Sequence, residues 1–119
     1  MNKRDAISAL GALAQETRLD VFRLLIRAGN EGLCAGEIAV ALNVRQNTMS
    51  ANLAVLSNAG LIRSQRQGRS IRYFADIGSM RNLIGFLLED CCGGNPRSCG
   101  PVLETLIPCL SDSTGKSPS

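Results

Sequence analysis

The chain has no histidine. That removes the commonest general base and every imidazole ligand for zinc. A glycine loop of the nucleotide-binding type and a constellation of carboxylates are also missing, so no enzyme motif is present. Its apolar runs fall well short of the roughly 20 residues that span a bilayer, so no membrane partner is expected. The opening Met1-Asn2-Lys3-Arg4-Asp5 is charged and is not followed by an apolar stretch of signal-peptide type. A cytoplasmic chain with reduced thiols is the expectation. Acid is scarce in one stretch. Between Arg45 and Arg81 stand six arginines and one acid, Asp76, a local +5 in a 119-residue chain whose total is +3. A basic block on a nearly neutral chain points to a polyanion-binding face, with a solvated arginine surface as the bland alternative.

What is there begins with helical periods. Ala6, Leu10, Leu13 and Ala14 recur at helical spacing and predict a helix over 3–14. Leu19, Phe22, Leu25 and Ile26 predict a second over 17–28, capped by Thr17 and stopped by Gly29-Asn30. A short helix over 35–42 follows, with Ile38, Ala39 and Leu42 apolar. Asn43-Val44 turns the chain, and a helix from 45 or 46 to 58 carries Met49, Leu53 and Leu56 inward. Two short helices about a tight turn make a helix-turn-helix, whose second helix can enter a major groove.

The period then changes to two. Residues 61–66 and 70–75 read as strands about a Gln67-Gly68 turn. That pairing sets Arg63 opposite Arg72 and Arg66 opposite Arg69. Like charges directly across a hairpin destabilise it, which makes sense where phosphates approach. An edge guarded by arginines is the alternative. A last helix over 79–90 carries the stripe Met80, Leu83, Ile84, Leu87 and Leu88. So small a chain has little core to cover that stripe, which predicts a homodimer packed through it and the first helix. Residues 101–110 fit one further helix, and the small polar stretch 111–119 is expected to be a disordered tail.

The order of elements resembles the ArsR/SmtB family of winged-helix repressors, and three motifs carry the likeness. Leu13-Ala14-Gln15-Glu16-Thr17-Arg18-Leu19-Asp20-Val21-Phe22-Arg23-Leu24-Leu25 is similar to the family's opening LADPTRLRILRLL. Val44-Arg45-Gln46-Asn47-Thr48-Met49-Ser50-Ala51-Asn52-Leu53 is similar to its recognition helix VSQSTVSHHL, with Leu56 and Ala59-Gly60-Leu61-Ile62 following. Gly68-Arg69 through Tyr73 matches the wing. The likeness spans roughly residues 5–90.

The resemblance implies a mainly α fold with a small β-hairpin, in the order α-α-α-α-β-β-α. It further implies a homodimeric repressor whose two recognition helices read a two-fold symmetric operator in double-stranded DNA. By position, Gln46, Asn47, Thr48 and Ser50 would face bases and phosphates, with Arg45 and Asn52 beside them. Arg63, Arg66, Arg69 and Arg72 of the wing would grip the backbone. Asn47 replaces a serine of the pattern, and Ala51-Asn52 replaces a His-His pair. Independently of any family, Gln and Asn are the side chains that pair bidentately with adenine. Residues 1–90 would form this domain.

Members of the family sense metals at alternative sites. One has the signature ELCVCDL, and the matching stretch here is Gly32-Leu33-Cys34-Ala35-Gly36-Glu37-Ile38. Gly36 stands where the second cysteine would be, so Cys34 alone reads as a small buried apolar residue. A second site uses histidines and is excluded. A subgroup of arsenite-responsive repressors has a cysteine pair at the end of the last helix and a third cysteine in the next loop. Cys91, Cys92 and Cys99 match that pattern, in a sensing segment over 91–110. Trivalent arsenic or antimony takes three thiolates in a pyramid, whereas structural zinc closes a four-ligand site. Successive helical side chains diverge by about 100°, so Cys91 and Cys92 need a helix end to converge. Gly93-Gly94 allows one, and Pro96 would stiffen the loop back to Cys99.

The inducer expected is arsenite, a methylated arsenical or antimonite, with no organic cofactor. Other readings stay open at this point. Cys91 and Cys92 lie four residues after Leu87 and Leu88 and could extend the apolar stripe. Cys109 could add a fourth thiolate for zinc or cadmium, although packing with Leu106 and Leu110 is the simpler expectation. A thiol redox switch would use the same residues.

Overall fold

The computed structural model describes residues 1–89. Cys91, Cys92 and Cys99, the expected helix at 101–110 and the tail at 111–119 lie outside the described residues.

Helix α1 (Lys3–Leu13) starts where the Asn2 side chain accepts the Asp5 backbone N–H at 2.8 Å. This is an N-cap that satisfies one of the helix's orphan donors. Its buried residues are Ala6, Ala9 and Ala12. Of the residues that mark its apolar period, only Ala6 is buried; Leu13 packs partly against the core, and Leu10 stays 43% exposed beside Ile7 at 61%. Three alanines on one face let the helix axes approach closely, so the small face wins the core and the larger one is left outside.

Helix α2 (Glu16–Ala28) begins one residue before the expected start. Gln15, not Thr17, is its cap, accepting the Arg18 N–H at 2.8 Å. It buries Val21, Phe22 and Leu25, whereas Leu19 and Ile26 of the same apolar period remain exposed.

After a 3-10 turn at Gly29–Glu31 comes strand β1 (Leu33–Cys34), which no sequence period announces. It pairs antiparallel with strand β3 (Ser70–Ala75), Leu33 against Tyr73 and Cys34 against Arg72. With β2 (Ile62–Gln67) on the other side of β3, the hairpin becomes a three-stranded sheet in the order β1-β3-β2. The backbone reaches β1 through Gly32, at φ +61°. A Cβ there would lie 2.5 Å from the Tyr73 carbonyl oxygen and 2.6 Å from the Phe74 ring.

The helix-turn-helix is as expected. Helix α3 (Ala35–Leu42) ends at Asn43, which takes the left-handed conformation at φ 54°, and α4 (Gln46–Asn58) follows. The hairpin differs in register. Gln67 pairs with Ser70, so the two-residue loop is Gly68-Arg69 and not Gln67-Gly68. Only Gly68 has positive φ, +64°, the pattern of a type II′ turn with glycine at the first loop position. Arg63 therefore faces Phe74, Arg66 faces Ile71 and Arg72 faces Gln65. No arginine opposes another across this hairpin, and the strain expected from like charges is absent there.

Helix α5 (Ile77–Leu87) starts two residues earlier than expected because Asp76 caps it, accepting the Ser79 N–H at 3.0 Å. Of its apolar stripe Leu83 is buried, Met80 packs partly against the core and Leu87 is 55% exposed. The centre of the molecule is Leu25, Ile38, Met49, Leu53, Leu56 and Leu61, so three helices and the base of the wing meet there. Among the described residues no helix is long and apolar enough to cross a membrane.

Candidate nucleic-acid interface

Helix α4 has two unlike faces. Met49, Asn52, Leu53 and Leu56, at helical spacing, point into the core. Gln46, Asn47, Thr48, Ser50 and Ala51 are exposed on the opposite side. Arg45, also exposed, is the N-cap residue in extended conformation and forms no side-chain cap. The first turn of α4 holds no acidic residue, so the positive end of its dipole meets no negative side chain of its own helix. The Asn47 side-chain Oδ1 accepts the Thr48 backbone N–H at 2.9 Å.

Asn52 is not part of that surface. It is buried, and its Oδ1 accepts a hydrogen bond from Arg18 Nη1 at 3.4 Å. Lying three residues past Met49 and four before Leu56, it belongs to the inward face. Its expected place beside the base-facing residues is corrected accordingly.

On the wing, Arg63, Arg66 and Arg69 are exposed. Strand alternation sends Arg63 and Arg66 to opposite faces, and Arg69 sits at the tip. The Arg63 guanidinium lies 4.7 Å from the centroid of the Phe74 ring, a cation–π contact that steadies the side chain. Arg72 behaves differently. Its Nη1 lies 3.3 Å from Glu37 Oε1 and 3.8 Å from Cys34 Sγ, so it braces β3 against the start of α3 and is not spread with the others. Glu37 also accepts the Cys34 backbone N–H at 2.8 Å. That bond first, then the Arg72 charge, hold the Glu37 carboxyl below its ordinary range. Cys34 is half-buried in this cluster, not a core residue.

Sequence reasoning gave Arg18 and Glu37 no role. The signal for Glu37 was its place three residues after Cys34, the position from which a glutamate caps a helix start. Nothing in the order of residues pairs Arg18 with Asn52. Among the described residues no group of three histidine, cysteine or acidic side chains could hold a metal ion. Every thiol of the expected metalloid set is outside them.

A helix-turn-helix with a polar outer face, backed by helices and flanked by an arginine-bearing hairpin, defines a winged helix-turn-helix protein. Comparison with known proteins agrees. A helix-turn-helix domain family matches residues 13–65. The arsenical resistance operon repressor of Escherichia coli strain K12 is 38% identical over 61 residues, 51% of this chain and 50% of that protein. The chain thus spans about half the length of the arsenical resistance repressors it matches. Among solved structures, an ArsR-like transcriptional regulator from Rhodococcus sp. RHA1 superposes with a TM-score of 0.64 at 22% identity, covering 95% of both chains. The antimony-specific transcriptional repressor AntR superposes with a TM-score of 0.55 at 31% identity, covering 69% of this chain and 74% of that one. The chain belongs to the ArsR/SmtB family of transcription regulators, which are not enzymes.

Proposed function

We propose that this protein is a homodimeric repressor that binds a two-fold symmetric operator and releases it when trivalent arsenic or antimony binds Cys91, Cys92 and Cys99. The observation that carries the DNA-binding part is the outer face of α4. Arg45, Gln46, Asn47, Thr48 and Ser50 are exposed together at a helix start without acid, while Arg63, Arg66 and Arg69 stand exposed on the adjoining hairpin. Amides of this kind read adenine edges, and arginines at the periphery neutralise phosphates.

Ile7, Leu10 and Leu87 support the dimer. They leave large apolar side chains exposed on α1 and α5, the two helices that pack on each other at the edge of the core. Two copies joined there would present two recognition helices related by a two-fold axis, as a palindromic site requires.

The effector reading rests on the thiol cluster in the sequence and on similar proteins named for arsenical resistance and antimony specificity. Three thiolates without imidazole favour a soft trivalent centre. Binding beside the end of α5 would alter the relation between the two subunits, and linkage requires DNA to weaken metalloid affinity by the same factor.

The test is titration of the fully reduced protein with arsenite, counting thiols protected per arsenic, followed by release from operator DNA. Three protected thiols in the wild type, fewer in Cys99→Ser, and release by the wild type alone are expected. Release of Cys99→Ser as efficient as wild type overturns the three-thiol assignment. Release by mild peroxide in place of arsenite would favour a redox switch, and a response to zinc or cadmium would bring in Cys109.

A further inference from the structure

We infer that Arg18 and Asn52 are positioning residues that fix how the recognition helix α4 is held against α1, and thereby the half-site spacing the dimer accepts; this rests on the DNA-binding reading above. Asn52 is the one buried polar side chain among the described residues, and it sits on the helix that would read the bases. An apolar residue would fill that position at lower desolvation cost, so the amide calls for a reason. Its partner supplies one. Arg18 Nη1 donates to Asn52 Oδ1 at 3.4 Å, and Arg18 Nε donates to the Ala12 carbonyl at 2.7 Å. That carbonyl belongs to the last turn of α1, where helix geometry leaves acceptors without internal partners.

One planar guanidinium therefore joins the end of α1 to the inner face of α4. The apolar contacts of Met49 and Leu53 hold α4 in the core but are non-directional, so they resist its removal more than its rotation. A hydrogen bond is directional, and the fork of an arginine fixes two directions at once. The outer face of α1 carries Ile7 and Leu10, the proposed subunit contact. Arg18 thus lies on the short route from that contact to the residues that face DNA, without touching DNA itself.

The experiment starts with a duplex selected from a random pool by the wild-type protein. Its affinity is compared with that of derivatives having one base pair added or removed at the centre, for wild type, Asn52→Leu, Arg18→Met and Asn52→Asp. Asn52→Leu and Arg18→Met are expected to bind a random duplex as wild type does. They should lose about tenfold on the selected duplex and most of the preference for its spacing. Asn52→Asp keeps an oxygen acceptor for Arg18 and should keep the preference. If Asn52→Leu does not fold, Arg18→Met, altered at a half-exposed residue, carries the test. Variants that melt earlier yet discriminate spacings as wild type does overturn the inference and leave a purely structural pair. A wild-type protein that selects no sequence defeats the DNA-binding reading itself, and this inference with it.

Discussion

Two exposed surfaces of this protein are opposite in kind. The outer face of α4 is polar, with Gln46, Asn47, Thr48 and Ser50 over a sealed apolar inner face. The outer face of α1 and α5 is apolar, with Ile7, Leu10 and Leu87 standing over a sealed inner face of alanines and Leu83. All three helices bury one face, but the start of α4 leaves polar residues outside it, whereas α1 and α5 leave large apolar ones there. A surface that exchanges partners must be content alone, so its contacts are hydrogen bonds and charges that water can replace. A surface that keeps its partner can stay greasy, because it is seldom bare. On the proposed function, the polar face meets the reversible ligand and the apolar face the lasting subunit contact.

The largest expected effect breaks the second face. Leu10→Glu should yield a monomer by sedimentation and lower operator affinity by two orders of magnitude or more, since a single half-site loses the advantage of linked binding. A dimer that survives with full affinity would place the subunit contact elsewhere. Next comes the contrast within α4 itself. Leu53→Ala, at a wholly buried side chain, should cost about 2–5 kcal/mol in denaturant unfolding. Asn47→Ala, on the outer face, should leave stability within about 0.5 kcal/mol while costing about 1–3 kcal/mol of base discrimination. Equal stability losses would erase the two-faced description.

Smaller still, Arg66→Ala should weaken binding to all duplexes alike and reduce the salt slope by about one, while Arg72→Ala should change the slope less, because its partner is Glu37. The mildest prediction concerns pH. The folded state holds the Glu37 carboxyl below its ordinary range, so its contribution to stability is present at neutral pH. That contribution is lost as acid is added through the lowered folded value. Melting temperatures of Glu37→Gln should therefore fall less steeply than wild type on acidification below the ordinary carboxylate range.

Much of this architecture was legible beforehand, for identifiable reasons. Helices α3 and α4 were placed within a residue because Asn43 and the Met49, Leu53, Leu56 spacing are local signals. The facing of α1 was not legible. Apolar residues occur on two of its sides, and the choice between the alanine and leucine stripes depends on how closely α2 approaches. The wing register turned on which residue pair forms the loop. Gln67-Gly68 and Gly68-Arg69 both contain the glycine, but only the second puts it at the first loop position. Strand β1 is two residues long and has no period to detect. Asn52 was assigned by its place in a motif, although its own spacing from Met49 and Leu56 already turned it inward.

The pairing of Tyr73 at the centre of the sheet also has an optical consequence. The chain has no tryptophan and a single tyrosine, and that residue lies in β3 between Leu33 of β1 and Ser64 of β2. Excited at wavelengths too long for phenylalanine, the unlabelled protein therefore emits from one residue, in the wing. Any ligand that reshapes the hairpin reports there, and under that excitation Phe22 and Phe86 of the helices stay dark.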